Sequence, residues 1–159
     1  MIDATASIDF NNWSGWKEAV DEAEKITFTF HLERKDNEKR YNKVSISEYL
    51  DSMKVGIWSQ DNYNYTADNI VKNQDGNSWS FTQTKENEKF ANLNEGIFSL
   101  PVEYAVKIST EQQDFQYANY RLFVTVSMYD KENMPVTMLN QSSLSDYVTY
   151  TVARVLKSF

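Results

Sequence analysis

The chain has 159 residues, 41% hydrophobic and 25% charged, so it can bury a sizeable core and lies outside the disordered range. Its net charge of −7 argues against a nucleic-acid phosphate backbone or an anionic membrane as partner. With no cysteine it has neither disulfide staples nor thiol chemistry, although export remains open.

In chain order, Ala4–Phe10 alternates weakly, with Ile8 and Phe10 on one side. Trp13–Glu24 predicts a short helix. Trp16, Ala19, Val20 and Ala23 recur at three- and four-residue spacing, and Asn12 or Ser14 is available as N-cap. The period then becomes two: Ile26, Phe28, Phe30 and Leu32 share one face, and Thr27, Thr29 and His31 the other. The run Glu33–Arg40 reads as a solvated hairpin loop. Val44–Ile46 and Met53–Trp58 are strand candidates, joined through one helical turn at Ser47–Leu50. A long polar stretch, Ser59–Asn77, ends in the turn signal Asp75-Gly76-Asn77.

Beyond it, Trp79, Phe81 and Gln83 alternate with Ser80 and Thr82, and Lys85–Phe90 is polar again. Val102–Ile108 and Tyr120–Tyr129 are clear alternating strands. Asp130–Asn133 turns the chain, and Tyr147–Val155 closes it. These segments predict an all-β fold, an antiparallel β-sandwich (Ig-like or related) with one short N-terminal helix. They read as a single domain over 1–159, with 1–24 supplying a strand plus the helix. Neither end carries a secretion signal or an apolar span of the roughly 20 residues that cross a bilayer. Both ends read as cut edges of a longer protein whose export signal and anchor lie elsewhere.

Catalytic constellations are hard to assemble. The only histidine, His31, sits mid-strand, and no phosphate-loop, dinucleotide or zinc-protease motif occurs. Glu103 and Asp146 are the acids nearest to strands, but nothing pairs them as a glycosidase would require. Asp61, Asn62, Asn64, Asp68 and Asn69 crowd one stretch as calcium-type oxygens without the spacing of a calcium loop. Lys25 could supply the amine of a Lys–Asn crosslink, yet the closing strand offers no Asn. The expectation is therefore a non-enzyme without cofactor or metal.

Recognition is what the residues offer instead. Trp58, Tyr63, Asn64 and Tyr65 fall in an aromatic and amide-rich stretch of the kind found in protein-binding paratopes, equally suited to stacking on sugars. Phe115 and Tyr117, in Phe115–Tyr120, make a second patch. For both patches, packing of the rings onto the sandwich is the competing structural role.

The segments Ala118–Val126, Ser145–Val155 and Phe28–Lys35 together resemble the repeated modules of large wall-anchored surface proteins of gut Clostridia. That resemblance implies a disulfide-free β-sandwich in a multi-domain adhesin or stalk at the bacterial cell surface; the acidic, single-domain character adds the expectation of a monomer. The resemblance also implies a host protein or a glycan as ligand, with an immunoglobulin variable region, bound as by a B-cell superantigen, as the leading named partner. A carbohydrate-binding module of a surface enzyme and an inert stalk repeat are the competing roles.

Overall fold

The computed structural model describes residues 2–36, 38–59, 62–67, 70–106, 120–136 and 144–148, with backbone alone at 2–6, 12, 57–59, 62–67, 106, 120 and 144–148. Strand β1 (Ile2–Asp9) leads through a 3-10 turn (Phe10–Asn12) to helix α1 (Trp16–Glu22). Then come β2 (Lys25–Lys35), β3 (Tyr41–Val44), α2 (Ile46–Tyr49), β4 (Leu50–Ser59), β5 (Asn62–Ala67) and β6 (Val71–Lys72). The remainder is β7 (Trp79–Thr84), β8 (Leu93–Asn94), β9 (Ile97–Val106), β10 (Tyr120–Tyr129), β11 (Pro135–Val136) and β12 (Leu144–Val148).

All the pairings are antiparallel and form two sheets. Sheet A runs β1-β9-β4-β5, with β8 also on β9. Sheet B runs β11-β10-β2-β7-β6, with β12 also on β10 and β3 also on β2. The expected all-β sandwich is therefore the observed architecture. Alternation explains it: Ile26, Phe28, Phe30 and Leu32 of β2, Leu122, Val124, Val126 and Met128 of β10, and Trp79 and Phe81 of β7 are all buried. They meet Met53 and Val55 of β4 and Phe98, Leu100, Val102 and Tyr104 of β9. Phe28 of sheet B and Phe98 of sheet A approach to 4.9 Å between ring centroids, and Phe98 also touches Phe10 and Phe90. Phe10, Ala19, Val20 and Ala23 close one end, while Ile46 of α2 joins the core near Trp79, whose indole N–H donates to Ser47 Oγ.

Several boundaries differ from the sequence expectation, each for a local reason. The helix begins at Trp16 because Gly15, left-handed at φ 79°, occupies the N-cap, so neither Asn12 nor Ser14 caps it. Ile46 belongs to α2, not to a strand; Ser45 Oγ accepts from the Glu48 N–H and starts the helical turn. The charged run is solvated only in part. Strand β2 continues to Lys35, and the turn is confined to Asp36–Arg40. There the Asp36 carboxylate accepts from the Glu38 and Arg40 N–H groups, and Lys39 takes φ 65°. Asp130 builds a second turn of the same design, accepting from the Glu132 and Met134 N–H groups with Asn133 at φ 62°.

The polar stretch after Ser59 is not a loop throughout, since it holds β5 and β6, and β9 starts at Ile97, five residues before the expected strand. Where β4 pairs with β5 the register shifts beside Gly56, and a Cβ there would collide with the Pro101 ring of β9. The closing strand is described from Leu144 to Val148, where it pairs with β10.

Candidate functional site

Strand register decides which surface residues meet, because cross-strand partners share a face. On β10 and β2 the outward row sets Arg121 opposite Glu33, Phe123 opposite His31, Thr125 opposite Thr29 and Ser127 opposite Thr27. Strand β3 extends it with Lys43 opposite Glu33 and Tyr41 opposite Lys35. The outer face of β10, β2 and β3 thus gathers three rings and several charges on a rigid backbone.

At the centre of this face the Arg121 guanidinium lies 3.9 Å from the Tyr41 ring centroid. Its Nη2 sits 3.4 Å from Glu33 Oε2. Glu33 is 6% exposed, so its carboxylate is held away from bulk water and the guanidinium balances its charge. Lys43 places its ammonium 5.6 Å above the Phe123 ring, and His31 lies 5.9 Å from the same ring. Next to the rings runs a hydroxyl ladder. Thr27 Oγ1 and Thr82 Oγ1 are 2.9 Å apart, and Thr29 Oγ1 and Ser80 Oγ 3.4 Å.

Burial, then the neighbouring Lys43 charge, pushes the His31 imidazole below its ordinary value of 6.5, outweighing the raising influence of Asn77, Asp75 and Glu33. The native state therefore binds fewer protons than the unfolded chain once the pH falls below about 6.5. The expected result is a stability that declines from pH 7 downward through this window and levels off once both states are protonated. Urea midpoints at pH 7.5 and 5.0 check it: the decline should shrink in His31→Gln, and an equal decline in that variant would remove His31 as its source.

The residues singled out in the sequence fall elsewhere. Trp58 stands directly opposite Tyr63, and Ile57 opposite Asn64, where β4 pairs with the edge strand β5, which also carries Tyr65. These residues sit together on one strand pair and not in a loop. Their side chains, and all of Phe115 and Tyr117, lie outside the described residues. Asp61, Asp68 and Asn69 also fall outside them; among the described residues, no group of three or more His, Asp or Glu side chains could hold a metal ion. Glu103 is on sheet A opposite Asp3 and Lys54, and Asp146 is on sheet B opposite Val124, so neither is the other's cross-strand partner. Lys25 stands on the outer row of β2 opposite Tyr129 and Thr84, with no acid as cross-strand partner.

Sequence reading missed Tyr41, Lys43, Arg121 and Phe123 as a group. The only signal was the outward parity of Arg121 and Phe123, without a register to bring β3 beside them.

No family model matches the chain, and no curated protein or solved structure matches it either.

Proposed function

We propose that this chain is a non-catalytic binding module of a bacterial cell-surface protein that recognises a host protein, with an immunoglobulin variable region as the leading partner. The observation that carries a protein partner is the outer face of β10, β2 and β3. Tyr41, Phe123 and Arg121 are of the aromatic and guanidinium types that concentrate binding energy at interfaces, with His31 and Lys43 beside them, and here a sheet holds them at fixed spacing. Preorganised strands reduce the ordering cost that a flexible loop incurs on binding. The backbone register that sets Trp58 opposite Tyr63, where β4 pairs with β5, offers a second candidate position.

The test is capture from human serum and secretory fluid on the immobilised protein, with bound proteins identified by mass spectrometry and the hit re-measured with a purified antibody Fab. Immunoglobulin should be enriched. Tyr41→Ala, or Tyr63→Ala if the edge is used, should weaken Fab binding about thirtyfold, the effect of losing about 2 kcal/mol at one central side chain. Failure to retain immunoglobulin would sink the named partner, and retention of no host protein would sink the reading.

A carbohydrate ligand is the second reading. The hydroxyl ladder Thr27–Thr82 and Thr29–Ser80 beside the half-buried Phe123 ring favours it. Quenching of Trp fluorescence by soluble glycan, with no protein retained, would select it.

A further inference from the structure

Strand β7 is paired along its whole length with β2 on one side, Lys25 opposite Thr84 through Phe30 opposite Trp79. On its other side β6 covers only Trp79 and Ser80. In an antiparallel ladder the residues that exchange main-chain hydrogen bonds alternate. The Asn73 N–H donates to the Ser78 carbonyl on the β6 side, and the Lys85 N–H donates to Glu24 beyond the start of β2. The even-numbered residues of β7 therefore point their N–H and C=O groups toward β6, and the odd-numbered ones toward β2. Ser80 meets Val71, but Ile70 has already left the strand. Thr82 and Thr84 consequently present main-chain donors and acceptors that have no strand partner among the described residues.

A cavity of about 500 Å³ lies against this stretch, lined by Phe81, Thr82, Gln83 and Thr84 on one side and by Lys89 and Ala91 of the returning chain on the other. A second of about 560 Å³ continues past Ala91. Gln83 points inward, is 7% exposed, and its Oε1 has no hydrogen-bond partner. A buried carbonyl oxygen left in that state is costly, and a ligand N–H or O–H would satisfy it.

We propose that this groove takes an extended peptide segment of a partner chain, which adds to sheet B beside Thr82–Thr84. Main-chain hydrogen bonds carry the recognition, as in strand addition to a sheet edge. A small donor side chain such as Ser or Thr opposite Gln83 supplies the hydrogen bond that Oε1 lacks. A sugar fits less well, because the groove's one lining ring, Phe81, is 1% exposed and offers no face for stacking. The site is separate from the outer ring-and-cation face and does not depend on its role.

The experiment uses the whole chain and a blocked hexapeptide of alternating Val and Thr, with an N-methylated copy as control, followed by amide exchange in NMR spectra. In the free protein the Thr82 and Thr84 amides should exchange at least tenfold faster than those of Phe81 and Gln83. Added peptide should slow them at least tenfold, and the N-methylated copy should not. Gln83→Leu should weaken peptide binding at least tenfold while raising the melting temperature of the free protein. Thr84→Pro, which removes an outward N–H, should abolish binding and leave the pairing with β2 intact. Protection of Thr82 and Thr84 in the free protein would overturn the proposal by showing the edge already filled. So would a lack of response to millimolar peptide, or the same protection from a soluble oligosaccharide in place of peptide.

Discussion

Phe28→Ala should destabilise the protein by about 3–5 kcal/mol, the range for deleting a fully enclosed aromatic side chain. Phe28 is 0% exposed, stacks on Phe81 at 6.4 Å between centroids, and crosses to sheet A to meet Phe98 at 4.9 Å. Truncation to alanine loses the transfer free energy of the ring and leaves a void on three sides. The void cannot collapse cheaply, because the ring sits between Phe81 and Phe98 in one close-packed core. A domain of this size has about 5–15 kcal/mol of stability, so the variant should have a sharply lower urea midpoint or be unfolded. Phe28→Leu, which keeps most of the volume, should lose less than half as much. Urea titration followed by Trp fluorescence compares the two. A loss below about 1 kcal/mol for Phe28→Ala would mean that the sheets do not pack through this ring.

The same ring shows why the sandwich was legible in the sequence. Phe28 lies in a segment with one face buried and one open, and such a strand must alternate. Tyr120–Tyr129 and Trp79–Gln83 declare themselves in the same way, and their predicted inward residues, side chain by side chain where described, are the buried ones. Other segments gave a weaker signal. Strand β5 mixes Tyr and Thr, which favour strands, with Asn, which does not, so its pairing with β4 and not its own sequence settles the assignment. Strands β8 and β11 are two residues long, and the first half of β9 contains Pro101 in a mixed run that reads as a strand break.

The outer ring-and-cation face was less legible still, because it is a product of register. Tyr41 and Arg121 are eighty positions apart in sequence, as the numbering shows, and meet only because β3 and β10 flank the same end of β2. Glu33 misled for a related reason. It opens a run of charges, which ordinarily marks a solvated turn, yet it is the last residue of that strand to be buried. A charge run shows where a chain turns but not how far the preceding strand continues.

Glu33 and Arg121 carry the second large effect. Arg121→Met should cost about 2–3 kcal/mol, below the 3–5 kcal/mol typical of breaking a fully buried pair. The side chains are 8% exposed at Glu33 and 21% at Arg121, so removing the guanidinium strands a carboxylate that water can barely reach. Lys43 stands opposite Glu33 on β3 and holds the cost at the lower end, although its ammonium must leave the Phe123 ring to help. The variant also ends the stacking of Arg121 on Tyr41, which frees that ring on the outer face. Removing the stranded charge as well, in Glu33→Leu with Arg121→Met, should return most of the lost stability. An apolar pair of similar size has no desolvation cost to offset. Urea midpoints of the two single variants and the double variant close the cycle. If the single and double variants were equally destabilised, the cost would lie in lost packing on Tyr41 and not in the stranded carboxylate. If the double variant is stable but no longer binds the partner captured by the native chain, the ion pair serves recognition more than folding.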